Sequence, residues 1–150
     1  YVIPWSLSWD DENYYLIAFD SQEDKIKHFR VDKMLHIGMT DEKREGKKCF
    51  QEFDMAVYAR KMFGMFGGEE ETVKIECDNA LAGVMIDRFG KDITFIKKDN
   101  GHFTVNVKVA VSRQFLAWVM ALGEEAKIIG PESVIVRMNA EIDTLVRQYR

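Results

Sequence analysis

The stretch that most constrains this chain runs from His102 to Val111, where large apolar residues occupy every second position without a break. Phe103, Val105, Val107, Val109 and Val111 alternate with His102, Thr104, Asn106, Lys108 and Ala110. A period of two belongs to a half-buried strand, with one face on a core and the other toward water. Asn100-Gly101 just before it suits a two-residue hairpin turn, which needs positive φ at both positions. A partner strand is therefore expected over Asp92 to Lys98. A second alternating run, Thr72 to Cys77, places Val73, Ile75 and Cys77 on one face.

Helical spacing fills the gaps between these strands. Asp78 or Asn79 caps a helix carrying Ala82, Met85, Ile86 and Phe89, and Gly90 stops it. Ser112 caps another with Phe115, Trp118, Val119 and Leu122 on one face, ended by Gly123. A short strand at Ala126 to Ile129 follows. Pro131 then opens a last helix striped by Val134, Met138, Ile142, Leu145 and Tyr149. From Thr72 the order is βαββαβ plus a closing helix, a ferredoxin-like pattern. Such a pattern bears on fold and says almost nothing about function.

The first third reads differently. Val2 to Trp9, Tyr14 to Asp20, Lys25 to Val31 and Met34 to Met39 are four short strand-like runs, with polar turns at Asp10–Asn13 and Ser21–Asp24. Closely spaced strands of this kind suggest a small barrel or a strongly bent sheet. Thr40 to Lys48 is a charged loop, and Asp54 is placed to cap a short helix over Met55 to Phe63. Gly64 to Glu71 breaks every apolar period and marks the domain boundary. The reading is α+β: a barrel over 1–53, a helix and linker over 54–71, and a ferredoxin-like domain with an extra C-terminal helix over 72–150.

Composition removes several function classes. With net charge -4 and pI near 5.4, the chain is too acidic to hold duplex DNA with its whole surface, so any nucleic-acid contact is a local patch. No apolar run reaches the ~20 residues that span a bilayer, and the N-terminus lacks the pattern of a signal peptide. The start at Tyr1, without an initiator methionine, suggests a fragment of a longer protein. Cys49 and Cys77 stand far apart and read as reduced, packing residues of a cytoplasmic protein.

Catalytic and metal-binding signatures are missing. His28, His36 and His102 have no second histidine or cysteine at ligand spacing. There is no nucleophile elbow. The glycines of Gly64 to Gly68 lack the Lys-Ser/Thr of a phosphate loop and precede a carboxylate run. No enzyme activity, cofactor or metal is expected.

One constellation stands out. Trp5, Trp9, Tyr14, Tyr15, Phe19 and Phe29 interleave with Lys25, Lys27, His28, Arg30 and Lys33. Rings on a small barrel can stack bases while neighbouring cations hold phosphates. On composition alone the simpler reading is favoured, with rings filling a core and lysines blunting strand edges.

Tyr14-Tyr15-Leu16, continued by Ile17-Ala18-Phe19-Asp20, resembles the Trp-Tyr-Leu signature of the WYL-domain bacterial transcriptional regulators. The family's next motif, approximately Arg-x-Phe-Arg-Leu-Asp-Arg-Ile, is matched by Lys27-His28-Phe29-Arg30-Val31-Asp32-Lys33-Met34. Upstream, Val2-Ile3-Pro4-Trp5-Ser6-Leu7 looks like the family's strand with a proline–aromatic pair. Phe63 to Gly68, Ile86-Asp87-Arg88-Phe89-Gly90, Val111 to Trp118 and Gly130 to Val134 are similar to the extension that follows many WYL domains.

The resemblance implies a small Sm-like or SH3-like β-barrel that senses an effector, followed by an extension associated with dimerisation. It also implies a helix-turn-helix domain, missing from this chain, as the part that contacts duplex DNA. The implied effector is anionic, a nucleotide or single-stranded nucleic acid. The ligand residues carried over are Trp5, Tyr15, Lys27, His28, Arg30 and Lys33. Lysine stands at 27 and 33 where the family has arginine, leaving Arg30 as the one bidentate clamp. In a regular strand residues 30 and 33 point to opposite faces, so they share a pocket only if the chain turns or bulges between them. The competing readings are a stand-alone single-stranded nucleic-acid-binding module, a small-molecule enzyme and a purely structural pairing module.

Overall fold

The computed structural model describes residues 1–45, 47–51, 55–63 and 68–150, and the side chain of Cys49 lies outside that description. The chain divides into two compact units, Tyr1–Tyr58 and Ala59–Arg150. Both are built on antiparallel sheets, giving an α+β protein with one three-stranded and one four-stranded sheet among the described residues.

In the first unit β1 (Ile3–Asp10), β2 (Asn13–Asp20) and β3 (Lys25–Arg30) lie side by side in chain order. The hairpin between β1 and β2 turns on Asp11 and Glu12, both at positive φ (45° and 61°). Two consecutive left-handed residues make the tight turn whose twist matches the flanking strands. At the next turn Asp20 Oδ1 accepts from the backbone N–H groups of Gln22 (3.0 Å) and Glu23 (3.3 Å). A bulge falls between Pro4 and Ser6, which pair with the consecutive residues Ala18 and Ile17. Trp5 is the extra residue, and the register of the rest of β1 follows from it. Ile17, Ala18 and Phe19 of the central strand are buried.

The fourth strand expected over Met34 to Met39 does not form. A 3-10 turn over Val31–Lys33, closed by the Met34 N–H on the Val31 carbonyl, takes the chain out of the sheet. His36 then adopts φ 54°, which an extended strand cannot accommodate. Leu35, Ile37 and Met39 of that run are exposed. The stretch read as an open charged loop ends in a short helix, α1 (Lys47–Gln51). A second, α2 (Met55–Lys61), follows in the region where one was expected. Its proposed cap, Asp54, lies outside the described residues.

The second unit runs β4 (Glu69–Asp78), α3 (Ala82–Phe89), β5 (Phe95–Lys97), β6 (His102–Val111), α4 (Arg113–Ala121), β7 (Ala126–Gly130) and α5 (Glu132–Tyr149). The sheet order is β5-β6-β4-β7, with every neighbouring pair antiparallel. β4 starts three residues before the expected Thr72, because each carboxylate of Glu70 and Glu71 finds a partner beside the ladder. Glu70 meets Lys61 (3.2 Å) and Lys108 (3.4 Å), and Glu71 accepts from Ser133 Oγ (2.8 Å). Gly68, just ahead, is where the chain crosses the end of β6, and a Cβ there would collide with the Val111 carbonyl.

The caps fall where the residue types place them. Asp78 accepts from the Ala80 N–H (2.9 Å), and Ser112 Oγ accepts from the Phe115 N–H (3.2 Å). Gly90 ends α3 with φ 94°. Val73, Ile75 and Cys77 of β4 and the odd-numbered residues of β6 from Phe103 to Val111 face Met85, Phe115, Leu116, Val119 and Val134 in one core. Burial, with the neighbouring Glu76 carboxylate, pushes the Cys77 thiol up to about 11. It therefore stays protonated and inert at neutral pH.

Truncating Phe115, which is fully buried, to alanine should cost about 3–5 kcal/mol in urea unfolding of the second unit, whereas Leu7→Ala, at an exposed position, should change little. Cys77 should resist alkylation by iodoacetamide in the native protein and react once it is unfolded, as followed by mass spectrometry.

Candidate functional site

The three-stranded sheet decides which of the expected ligand residues can act together. In an antiparallel pair, residues directly opposite share a face and alternate residues return to it. Tyr15 pairs with Arg30, Ile17 with His28, and Ser8 and Ser6 of β1 lie opposite Tyr15 and Ile17. Tyr15, His28 and Arg30 thus occupy one face, with Ser6 and Ser8 beside them. Lys27 pairs with Ala18, and so belongs to the other face together with Leu7, Leu16 and Phe29.

Arg30 is the one guanidinium among the six, held by three side-chain hydrogen bonds. Its Nε donates to Asp32 Oδ1 (3.0 Å) and its Nη2 to Asp32 Oδ2 (2.9 Å), a two-point fork across the carboxylate. Nη2 also donates to Asn13 Oδ1 (2.8 Å) at the start of β2. These contacts tie the end of β3 to the β1–β2 hairpin, and Nη1 makes no hydrogen bond among the described residues. The Asp32 hydrogen bonds raise the Arg30 pKa above its ordinary value, with smaller contributions from Tyr15 and Asp11, and Arg30 in turn holds the Asp32 carboxyl below its own. At the middle of the same face His28 meets the Tyr58 hydroxyl, and the two rings cross edge to face with centroids 5.3 Å apart.

The other three residues lie apart from this group. Lys27 Nζ is held by Asp20 Oδ2 (2.7 Å) and Glu23 Oε1 (2.5 Å), and only about a quarter of its side chain is exposed. Lys33 sits in the turn after β3, 72% exposed, with Asp32 Oδ2 3.8 Å away. Trp5, at the bulge, stacks on Phe50 (centroids 4.4 Å, planes 17° apart) with the Arg44 guanidinium 5.7 Å from its ring. Sequence reasoning missed Asn13 and Asp32 as partners of Arg30, and Phe50 and Arg44 as partners of Trp5. Asp32 was legible in principle, since a carboxylate two residues from an arginine at a strand end has few other cations to choose.

On the opposite face Trp9 and Tyr14 pair edge to face at 4.7 Å and are both more than half exposed, beside exposed Leu7. In the second unit an open depression of about 550 Å³ is lined by Glu69, Ser112, Arg113, Gln114 and Arg137. Its arginines are engaged within the chain, Arg113 by Glu141 (2.9 Å) and Arg137 by the Val111 carbonyl (2.8 Å). No group of three metal-ligating side chains converges among the described residues. No helix among them is long and apolar enough to cross a membrane.

Comparison with protein-family models matches residues 69–146 to the WCX domain and residues 1–39 to the WYL domain. A search of curated proteins gives no match. Among solved structures the chain is similar to proteasome accessory factor B/C (PafBC) of Arthrobacter aurescens, at 21% identity and a TM-score of 0.47. That alignment covers 99% of this chain and 22% of the other, so the chain spans under a quarter of that protein's length.

The Lys27 network sets a pH signature. Asp20 is held below the ordinary aspartate range chiefly by its hydrogen bond from Lys27, helped by the Gln22 and Glu23 amides. Its contribution to stability is therefore present above the unfolded-state value and lost as the pH falls through the lowered one. A carboxyl-carbon NMR titration should give Asp20 a midpoint below that of a free aspartate, and Lys27→Met should move the midpoint upward.

Proposed function

The chain belongs to the WCX-domain family and carries a WYL domain ahead of that module. From this we propose that it is the effector-sensing and dimerisation region of a bacterial helix-turn-helix transcriptional regulator. In this reading the first unit is an Sm-like barrel and the second a ferredoxin-like extension. The strand order β5-β6-β4-β7 supports the second assignment, because a βαββαβ chain with two crossovers interleaves its strands in that order. The regulator works in the cytoplasm as a homodimer, and a helix-turn-helix segment outside these residues makes the duplex DNA contact.

The effector is an anion, a nucleotide or single-stranded nucleic acid, taken by the face that bears Tyr15, His28 and Arg30. The observation that carries this is the direct pairing of Tyr15 with Arg30 across β2 and β3, inside the residues matched to the WYL domain. It places an aromatic ring and a fork-shaped cation side by side at an edge of the sheet, the pairing that stacks a base and holds its phosphate. Trp5 and Lys33 join this proposal as outer contacts, Lys33 the more accessible of the two. Lys27, held by Asp20 and Glu23 on the other face of the sheet, stays outside it. An effector changes the regulator's output only as far as it binds one domain arrangement better than another.

Titration of a labelled short oligothymidylate and a panel of nucleotides by fluorescence anisotropy, at low and moderate salt, tests the reading. Saturable binding that weakens with salt is expected, with a loss of about tenfold or more in Arg30→Ala. Absence of binding by the intact chain, or equal binding by the variant, rejects the anion site.

A further inference from the structure

Arg30 is the residue on which the anion site depends, yet in this structure its fork is already filled. Asp32 spans Nε and Nη2 with both carboxylate oxygens, at 3.0 and 2.9 Å. That is the geometry in which a phosphate or an external carboxylate would bind a guanidinium. The second proton of Nη2 is committed to Asn13, so only the Nη1 edge stays available. We infer that Asp32 is an internal competitor for the effector, a tethered carboxylate that a bidentate anion must displace before it can engage the Arg30 fork. This inference rests on the anion-site reading above and adds a regulatory element to it.

The competitor is effective because it sits two residues from its target, which gives it a high local concentration that no free monocarboxylate matches. It is also displaceable. Arg30 and Asp32 are 40% and 49% exposed, and a half-solvated ion pair is weak enough to exchange. Apparent affinity then falls by the fraction of molecules in which the fork is open. The site rejects small anions and responds to a ligand that adds stacking on Tyr15 to the exchange of one anion for another.

Displacement has a mechanical consequence. Asp32 is the middle residue of the Val31–Lys33 turn, which the Met34 N–H closes onto the Val31 carbonyl at 3.2 Å. Removing Asp32 from Arg30 detaches that turn from the Asn13 end of the hairpin and frees the segment leading to exposed Leu35, Ile37 and Met39. The exchange thus carries occupancy of the site into the chain that follows it.

The experiment uses the intact 150-residue chain and a fluorescein-labelled oligothymidylate. Wild type, Asp32→Asn, Asp32→Ser, Asp11→Asn and Arg30→Ala are titrated in parallel at two salt concentrations. Both Asp32 variants should bind about tenfold more tightly than wild type, as expected if the closed fork holds roughly nine molecules in ten. Asp11→Asn removes a nearby charge that touches no fork atom, and should gain much less. On binding to wild type, the amide signals of Asp32, Lys33 and Met34 should shift. Equal gains in the Asp11 and Asp32 variants would reduce the effect to general charge and overturn the competitor. So would an unchanged affinity in both Asp32 variants while Arg30→Ala still loses binding, an outcome that leaves the anion site standing. No binding by any of the proteins removes the anion site and the competitor together.

Discussion

The pairing of β4 with β6 is the constraint on which the second unit depends. Ten residue pairs run without a shift from Glu69 opposite Val111 to Asp78 opposite His102. An unbroken antiparallel ladder commits every side chain on both strands to one face or the other, since a slip by one residue would exchange the faces. Val73, Ile75 and Cys77 are thereby fixed opposite Val107, Val105 and Phe103, and the helices have one apolar surface to cover. On the other face Glu70 of β4 takes Lys108 of β6, and Glu76 takes Lys98 (2.6 Å) just beyond β5. Removing the ladder would leave α3, α4 and α5 with stripes and nothing to lay them on.

Much of this could be read directly from residues. Period two in His102 to Val111 and the caps at Asp78 and Ser112 are local signals, and each acts within a few residues of where it is written. Asn100-Gly101, by contrast, turns without the expected positive φ at either residue, in a longer loop where Asp99 Oδ1 accepts from the Gly101 and His102 N–H groups. The first unit was less transparent, because its outcome turns on competition between local preferences. Met34 to Met39 has the alternation of a strand, but the 3-10 turn at Val31–Lys33 and the left-handed His36 divert the chain before a partner is reached. Alternation states which face a strand would bury, and says nothing about whether an edge is there to receive it. Glu69 to Glu71 failed in the opposite sense. A carboxylate run looks like a break until Lys61, Lys108 and Ser133 arrive from distant positions to balance it.

The candidate site shows the same division. Tyr15 and Arg30 could be named from the resemblance to WYL domains, and the register brings them opposite each other. Spacing alone already separates Lys27 from Arg30, because three residues along a strand is an odd number of steps. What could not be read is the company each cation keeps. Asn13 reaches Arg30 through a hairpin whose turn depends on positive φ at Asp11 and Glu12, and the partners of Trp5 come from residues 44 and 50 after an irregular excursion. Contacts that depend on a loop returning carry no periodic signature.

The odd step between residues 27 and 30 has a broader meaning. A sheet is a partition, and this one sorts its two strongest cations into separate rooms. Lys27 and its two carboxylates form a closed circuit on one side, while Arg30, Tyr15 and His28 look out from the other. Substitutions on the Arg30 side need not disturb the ionic fastening behind it. A scaffold arranged in this way can vary one surface while keeping what holds it together, so descendants of one ancestral sheet can diverge on one side without drifting in form.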